Sequence, residues 1–305
     1  MRPALRVLLP LWLVLALPAA AQDAPIDEQP VMEDSPKDEL LARRLGYRPA
    51  IDVPITALTW GFWLGTEAFK SEVAPDRCNW CEPNSTDWAV RNALKWENTK
   101  GAQRASDVLL FGVAPAAARA TTLTLAGADG RMEEVPWDAL LILESAGVAA
   151  ALNQSVKLVI GRERPFAYAL PDAEKGLVDE PYDNNLSFYS GHATVTFALA
   201  ASTATVARMR GRKGAAWAWA VGMPIAATTA YLRLAGDKHY LSDVTVGAVA
   251  GTAIGVLVPA VHDWMAFRTA GAQSSRRGGR PSAVTTSAGF VPLPGGGAGT
   301  FAMRW

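Results

Sequence analysis

Residues 214–264 read GAAWAWAVGMPIAATTAYLRLAGDKHYLSDVTVGAVAGTAIGVLVPAVHDW. Two uncharged apolar runs lie in this stretch, Gly214 to Leu232 and Val244 to His262. Each is too long for an ordinary strand, and neither alternates apolar with polar residues. Each is also long enough to cross the hydrocarbon core of a bilayer. Upstream, four more apolar segments of the same kind run near 54–69, 105–126, 137–160 and 191–209. Breakers separate them: Gly127 to Gly130, Arg164-Pro165, Pro171 and Pro181, and Gly211 to Gly214. The pattern predicts an all-α, six-helix bundle over 51–268. Arg119 and Glu144 fall inside the second and third segments, where lipid would penalise them unless they face the bundle interior. A membrane-embedded bundle is the favoured reading, and a soluble bundle that is apolar all round is its competitor.

Composition narrows the function classes. Of 305 residues, 50% are hydrophobic and 19% charged, so a sizeable core can form and a largely disordered chain is excluded. Lys plus Arg equals Asp plus Glu at 29 each, so no overall charge points to a nucleic-acid partner. Two cysteines are too few for a disulfide scaffold. Several of the 11 tryptophans crowd Trp60 to Trp96, as an interfacial belt or as core.

The ends read differently from the middle. Residues 1–21 have a basic start, an apolar stretch and a small-residue cleavage site at Ala19-Ala20-Ala21, so a cleaved secretory leader is expected. That places the chain in the cell envelope. Residues 22–50 are an acidic arm, carrying Asp23, Asp27, Glu28, Glu33, Asp34, Asp38 and Glu39 against Lys37. Residues 269–305 form a Gly/Ser/Arg-rich tail whose end, Ser287 to Trp305, reads as two short strands around Gly295-Gly296-Gly297. Arg268, Arg276, Arg277 and Arg280 could meet anionic headgroups or simply solvate a linker. Cys78 and Cys81 cannot complete a zinc site alone, and a loop-pinning disulfide is their expected role in an oxidising compartment.

Three polar clusters sit where apolar segments begin or end. Lys157 and Arg164-Pro165 close the third segment; on one helix the two cations would lie two turns apart on the same side. Cations at a helix C-terminus are also ordinary. Ser190-Gly191-His192 opens the fourth segment, where free N–H groups suit a phosphate and Ser190 could equally be a plain N-cap. Arg233 is followed by His239 and Asp243, an i, i+4 pair on one helix face in which the carboxylate could orient the imidazole. The fourth and fifth segments form a hairpin carrying the chain from His192 out and back to Arg233. All three clusters then meet at one end of the bundle, bringing together cations, two imidazoles and a helix N-terminus, a set suited to a tetrahedral oxyanion.

The order and spacing resemble the type 2 phosphatidic acid phosphatase and vanadium haloperoxidase superfamily. Its pattern is Lys-x6-Arg-Pro, then Pro-Ser-Gly-His, then Ser-Arg-x5-His-x3-Asp. Every spacing is kept here, with Tyr189 in place of the Pro and Leu232 in place of the Ser. The resemblance implies phosphomonoester hydrolysis through a phosphohistidine: His239 as nucleophile, Asp243 orienting it, His192 as general acid. Lys157, Arg164, Ser190, Gly191 and Arg233 would hold the phosphoryl oxygens. The expected substrate is a lipid phosphate or diphosphate met at a periplasm-facing site, with no metal and no cofactor. A soluble acid phosphatase, a haloperoxidase using vanadate and a non-catalytic envelope scaffold are the rival readings. Oligomeric state is not legible.

Overall fold

A computed structural model describes residue 45, residues 48–276 and, in the tail, 285–293 and 296–304. The leader read over 1–21, the acidic residues 23–39, and Arg277, Arg280 and Trp305 lie outside the described residues.

The described residues up to Asp263 form one unit and are helical. In order come α1 (Pro49–Ala68), α2 (Lys70–Val73), α3 (Ser85–Leu94), α4 (Thr99–Val108) and α5 (Ala114–Ala128). There follow α6 (Val135–Ile160), α7 (Pro165–Tyr168), α8 (Gly191–Met209), α9 (Ala215–Ala235) and α10 (Leu241–Arg276). The all-α class is as read, but the segments do not sort into six plain helices. The second segment is interrupted by a π turn at Leu109–Val113, which joins α4 to α5, and the short α2, α3 and α7 fill the connections. The chain from Trp264 on forms a second unit, whose strands β1 (Thr285–Leu293) and β2 (Gly296–Arg304) pair antiparallel with Thr285 opposite Arg304.

Local chemistry sets the helix ends. Asn84 and Asn98 cap α3 and α4 by accepting from the N–H of Asp87 (2.8 Å) and Gly101 (2.9 Å). Asp52, in the first turn of α1, accepts from the Arg48 N–H at 2.7 Å. α6 stops at Gly161, whose φ of 58° is the left-handed conformation that glycine adopts without a Cβ clash.

α8 lies in the middle of the unit, packed against α5, α6 and α9, with α1 laid against α6. Leu110, Leu141, Ile142, Val195, Leu199 and Val206 form the core, with Trp60 and Trp63 packed on it. The indole of Trp60 donates to the Leu143 carbonyl at 3.1 Å, and both tryptophans are half-buried against the core. At the end where α8 finishes and α6 begins, Arg210 and Arg212 pair with Glu134 and Asp138.

Gly247, Gly251 and Gly255 form a small-residue stripe that lets α10 approach α8. A Cβ at Gly251 would stand 2.2 Å from the Thr194 carbonyl oxygen. Gly251→Ala is therefore expected to cost about 1–3 kcal/mol, read as a lowered midpoint in thermal unfolding, while Gly61→Ala, with nothing within 4 Å, should not.

Among the described residues, three helices are long and apolar enough to cross a membrane: Thr99–Ala128, Met132–Ile160 and Leu241–Met265. The run beginning at Gly214, singled out above, is not among them, because its Trp217, Trp219, Pro224 and Tyr231 lower its hydropathy. Glu144 faces inward, with its Oε1 3.3 Å from Nε2 of His262. Large apolar side chains such as Leu58, Val159 and Val249 face outward.

Candidate active site

The site is built on the segment that follows α6. After Gly161 the chain runs extended through Arg162, Glu163 and Arg164, and Pro165 opens α7. This segment is stitched on both sides. Asn79 N–H donates to Gly161 O (2.9 Å) and Glu163 N–H to Trp80 O (3.0 Å), from the loop in which Cys78 and Cys81 are disulfide-bonded. On the other side Ser187 N–H donates to Arg162 O (2.9 Å) and Arg164 N–H to Asn184 O (2.7 Å). Lys157 and Arg164 therefore do not share a helix face. The left-handed Gly161 ends the helix before Arg164, and the extended segment delivers the guanidinium instead.

Arg164 is held from three directions. Its Nε donates to Asp183 O (2.8 Å), its Nη2 to Asp183 Oδ1 (2.9 Å), and its Nη1 to Lys238 O (2.9 Å). The same Nη1 stands 3.4 Å from Nε2 of His239. Burial alone would raise the Asp183 carboxyl, but Arg164, Lys70 and Lys238 outweigh it and hold it well below the usual carboxylate range.

His239 lies just outside α10 rather than on it. The helix begins after Tyr240, whose N–H donates to Asp243 Oδ2 at 2.9 Å, so Asp243 caps the helix start from within its first turn. The His239 Nδ1 is 2.8 Å from the Ser187 carbonyl oxygen, which can only accept, so Nδ1 carries the proton and Nε2 keeps its lone pair. Asp243 reaches this ring only at one remove. Its Oδ2 is 3.8 Å from Nδ1, while Ser187 Oγ donates to the same carboxylate at 2.6 Å. Serine 187 thus links the buried carboxylate to the imidazole.

Asp243 also accepts from Arg162 Nη1 at 2.6 Å. Arg162 is 1% exposed and bonds Ser242 Oγ (2.7 Å) and Asp87 Oδ2 (2.8 Å) as well. Its guanidinium lies 3.9 Å from the Trp80 ring centroid and 4.5 Å from that of Tyr240. The adjoining turn is pinned by Arg91, which grips Asp237 with Nε (2.7 Å) and Nη2 (2.6 Å).

Ser190 caps α8, its Oγ accepting from the Ala193 N–H at 3.4 Å, and its own N–H donates to Asp243 O at 3.1 Å. A Cβ on Gly191 would meet Asn153 Oδ1 at 2.8 Å and Lys157 Nζ at 3.6 Å, so the glycine admits the ammonium to the helix N-terminus. Asn153 donates to the Tyr189 carbonyl at 2.7 Å and fixes that approach. His192 Nε2 is 2.7 Å from Asp107 Oδ1, and Arg233 Nη1 donates to Ser106 Oγ at 3.1 Å.

These groups share one electrostatic environment. His239 is pushed well below its ordinary range, by burial first and then by the charges of Arg164, Arg233, Lys157 and His192. His192 is pushed down to about 3 by burial and then by Arg233, with Asp107 opposing. The three cations assigned to the oxyanion, Lys157, Arg164 and Arg233, thus act on one ring, whereas Ser190 spends its hydroxyl on capping. Arg162, Asp183, Ser187 and Asp107 were not singled out from sequence. Arg162 lay inside the first cluster and Asp183 and Ser187 in the polar loop beside the second, whereas Asp107 had no signal beyond an acid in an apolar run.

A pH dependence of stability follows. Both imidazoles are neutral in the folded chain, and both would bind a proton in the unfolded chain below about pH 6.5. The stability they support is complete above that pH and is lost as the pH falls below it, for His192 down to about 3. Each contributes up to about 1.4 kcal/mol per pH unit in that window. Thermal unfolding followed from pH 7 to 4 should show the decline, and His192→Gln should flatten it.

Residues 138–266 match the family model of the PAP2 superfamily, a span that holds all three clusters. No curated protein and no solved structure matches the chain.

Proposed function

We propose that this chain is a phosphatase, from the premise that residues 138–266 match the PAP2 superfamily, whose members are phosphatases or haloperoxidases. It hydrolyses phosphate monoesters through a phosphohistidine on His239. The observation that carries the reading is the His239 ring: Nδ1–H is committed to the Ser187 carbonyl, and the bare Nε2 stands beside the Arg164 guanidinium. An in-line nucleophile needs that tautomer.

In the first half-reaction the Nε2 lone pair attacks phosphorus. The P–O bond to the leaving group breaks, and the departing alkoxide takes a proton from His192. In the second, His192 accepts a proton from water as the water oxygen attacks phosphorus. The P–N bond then breaks, and Nε2 recovers its electron pair. Lys157, Arg164, Arg233 and the N-terminus of α8 neutralise the equatorial oxygens throughout. Asp243 supports the imidazolium through Ser187. Burial and Arg233 keep His192 neutral even with the Asp107 carboxylate beside it, and a phosphate dianion adds the field that lets it hold a proton.

The bare Nε2 of His239 faces cations, and the nearby carboxylates of Asp243 and Asp183 are already paired with Arg162 and Arg164, so turnover should proceed in EDTA. Three apolar helices and the outward-facing apolar side chains favour a lipid phosphate or diphosphate, reached from the periplasmic side. The test is to quench turnover of a phosphorus-labelled monoester in mild base and look for an acid-labile, base-stable label on the protein. The proposal expects that label on wild-type protein. Its absence under burst conditions, or loss of activity in EDTA with recovery on adding a divalent ion, would overturn the mechanism. Phosphatidate against p-nitrophenyl phosphate, compared in detergent, ranks lipid against soluble substrates.

A further inference from the structure

Asp107 ends the last full turn of α4, just ahead of the π turn at Leu109–Val113. Its Oδ1 is 2.7 Å from His192 Nε2 and 3.7 Å from Arg233 Nη1. Those are the proton donor and one of the cations assigned above to the phosphoryl group, and the inference rests on that assignment. Nε2 of an imidazole has one proton to give. While it is given to Asp107, it cannot be given to a leaving oxygen. Arg233 is likewise shared between this carboxylate and Ser106.

Asp107 differs from the other carboxylates of the site. Asp243 is 0% and Asp183 5% exposed, each locked by arginine, but the Asp107 side chain is 49% exposed. Leaving the pocket therefore takes it into water at little desolvation cost. It also sits beside a π turn, where the regular helical ladder is interrupted.

We propose that Asp107 is a resident counter-anion that competes with the substrate's phosphate group for His192 and Arg233, and that this competition sets which esters bind. A carboxylate carries one negative charge. A terminal phosphate monoester carries close to two near neutral pH and can displace it, whereas a phosphodiester carries one and gains little by the exchange. Asp107 would thus favour terminal phosphates over diesters at a pocket whose other donors accept either.

The test is Asp107→Asn, which keeps the shape and removes the charge. Inhibition by inorganic phosphate and by dimethyl phosphate is measured against a monoester substrate in the full-length protein. The expected result is a roughly five- to tenfold lower inhibition constant for phosphate, and a larger proportional gain for dimethyl phosphate. Asp107→Glu, which restores the charge, should return both toward wild type. Unchanged or weaker phosphate inhibition in Asp107→Asn, together with a lower kcat, would overturn the proposal and make Asp107 a positioning residue for His192. If phosphate inhibits neither wild type nor variant, the phosphate pocket itself is misassigned, and the inference falls with it.

Discussion

His239→Ala protein is expected to lose phosphatase turnover by about 10⁴-fold or more, the scale seen when a covalent nucleophile is removed from a preorganised site. Inorganic phosphate should still bind, because Arg164 is held by Asp183 and the Lys238 carbonyl independently of the ring. The variant should also form no acid-labile phosphoenzyme. The ring is buried and bonds the Ser187 carbonyl, so some thermal stability should be lost as well, but phosphate binding to the folded variant separates that loss from the loss of turnover. Near-wild-type turnover in the purified variant would remove His239 from the role of nucleophile, whatever the fate of the rest of the site.

The second large effect is expected at Arg162. Replacing it with Met leaves Asp87 and Asp243 facing each other across a buried space without the charge that joins them. Breaking such a pair from one side costs about 3–5 kcal/mol. Arg162→Met should unfold well below wild type, and any folded fraction should show a reduced kcat, because Asp243 no longer holds Ser187 and, through it, His239. Arg162→Lys restores the charge but not the fork that reaches two carboxylates and a hydroxyl, so it should recover stability in part. A wild-type melting midpoint with wild-type kcat in Arg162→Met would show that the buried network does not support the ring.

The helical class and the convergence of the three clusters could be read from residue order, because apolar runs and charged residues at their ends are local signals. The ends of those runs were nearly right at Ile160 and Met209, where Gly161 and Gly211 stand as stops. Contacts that close only through space were out of reach. The i, i+4 spacing of His239 and Asp243 suggested a direct pair on a helix face, but Asp243 caps Tyr240 and the helix starts too late to include the histidine. The seven-residue step from Lys157 to Arg164 suggested two helical turns, yet Gly161 breaks the helix between them. Asp107 and Asp183 meet their arginines only once α4 and the 181–187 loop are folded against α9 and the 162–164 segment. The tryptophans divided: Trp60 and Trp63 pack half-buried on the core, while Trp80 covers Arg162.

The backbone bond from Ser190 to Asp243 joins the start of α8 to the start of α10, and Gly247 brings the two helices together one turn further on. The segments bearing His192 and His239, the proposed proton donor and nucleophile, are therefore riveted to each other at their roots. Bulky and slender esters must meet the same fixed gap between the two imidazoles. Adaptation to different alcohols would then fall to the side of α4 and its π turn, where the Phe111 ring stands edge-on to His192 with centroids 6.1 Å apart, so engineering the range of accepted leaving groups should begin with Phe111 and leave the floor alone.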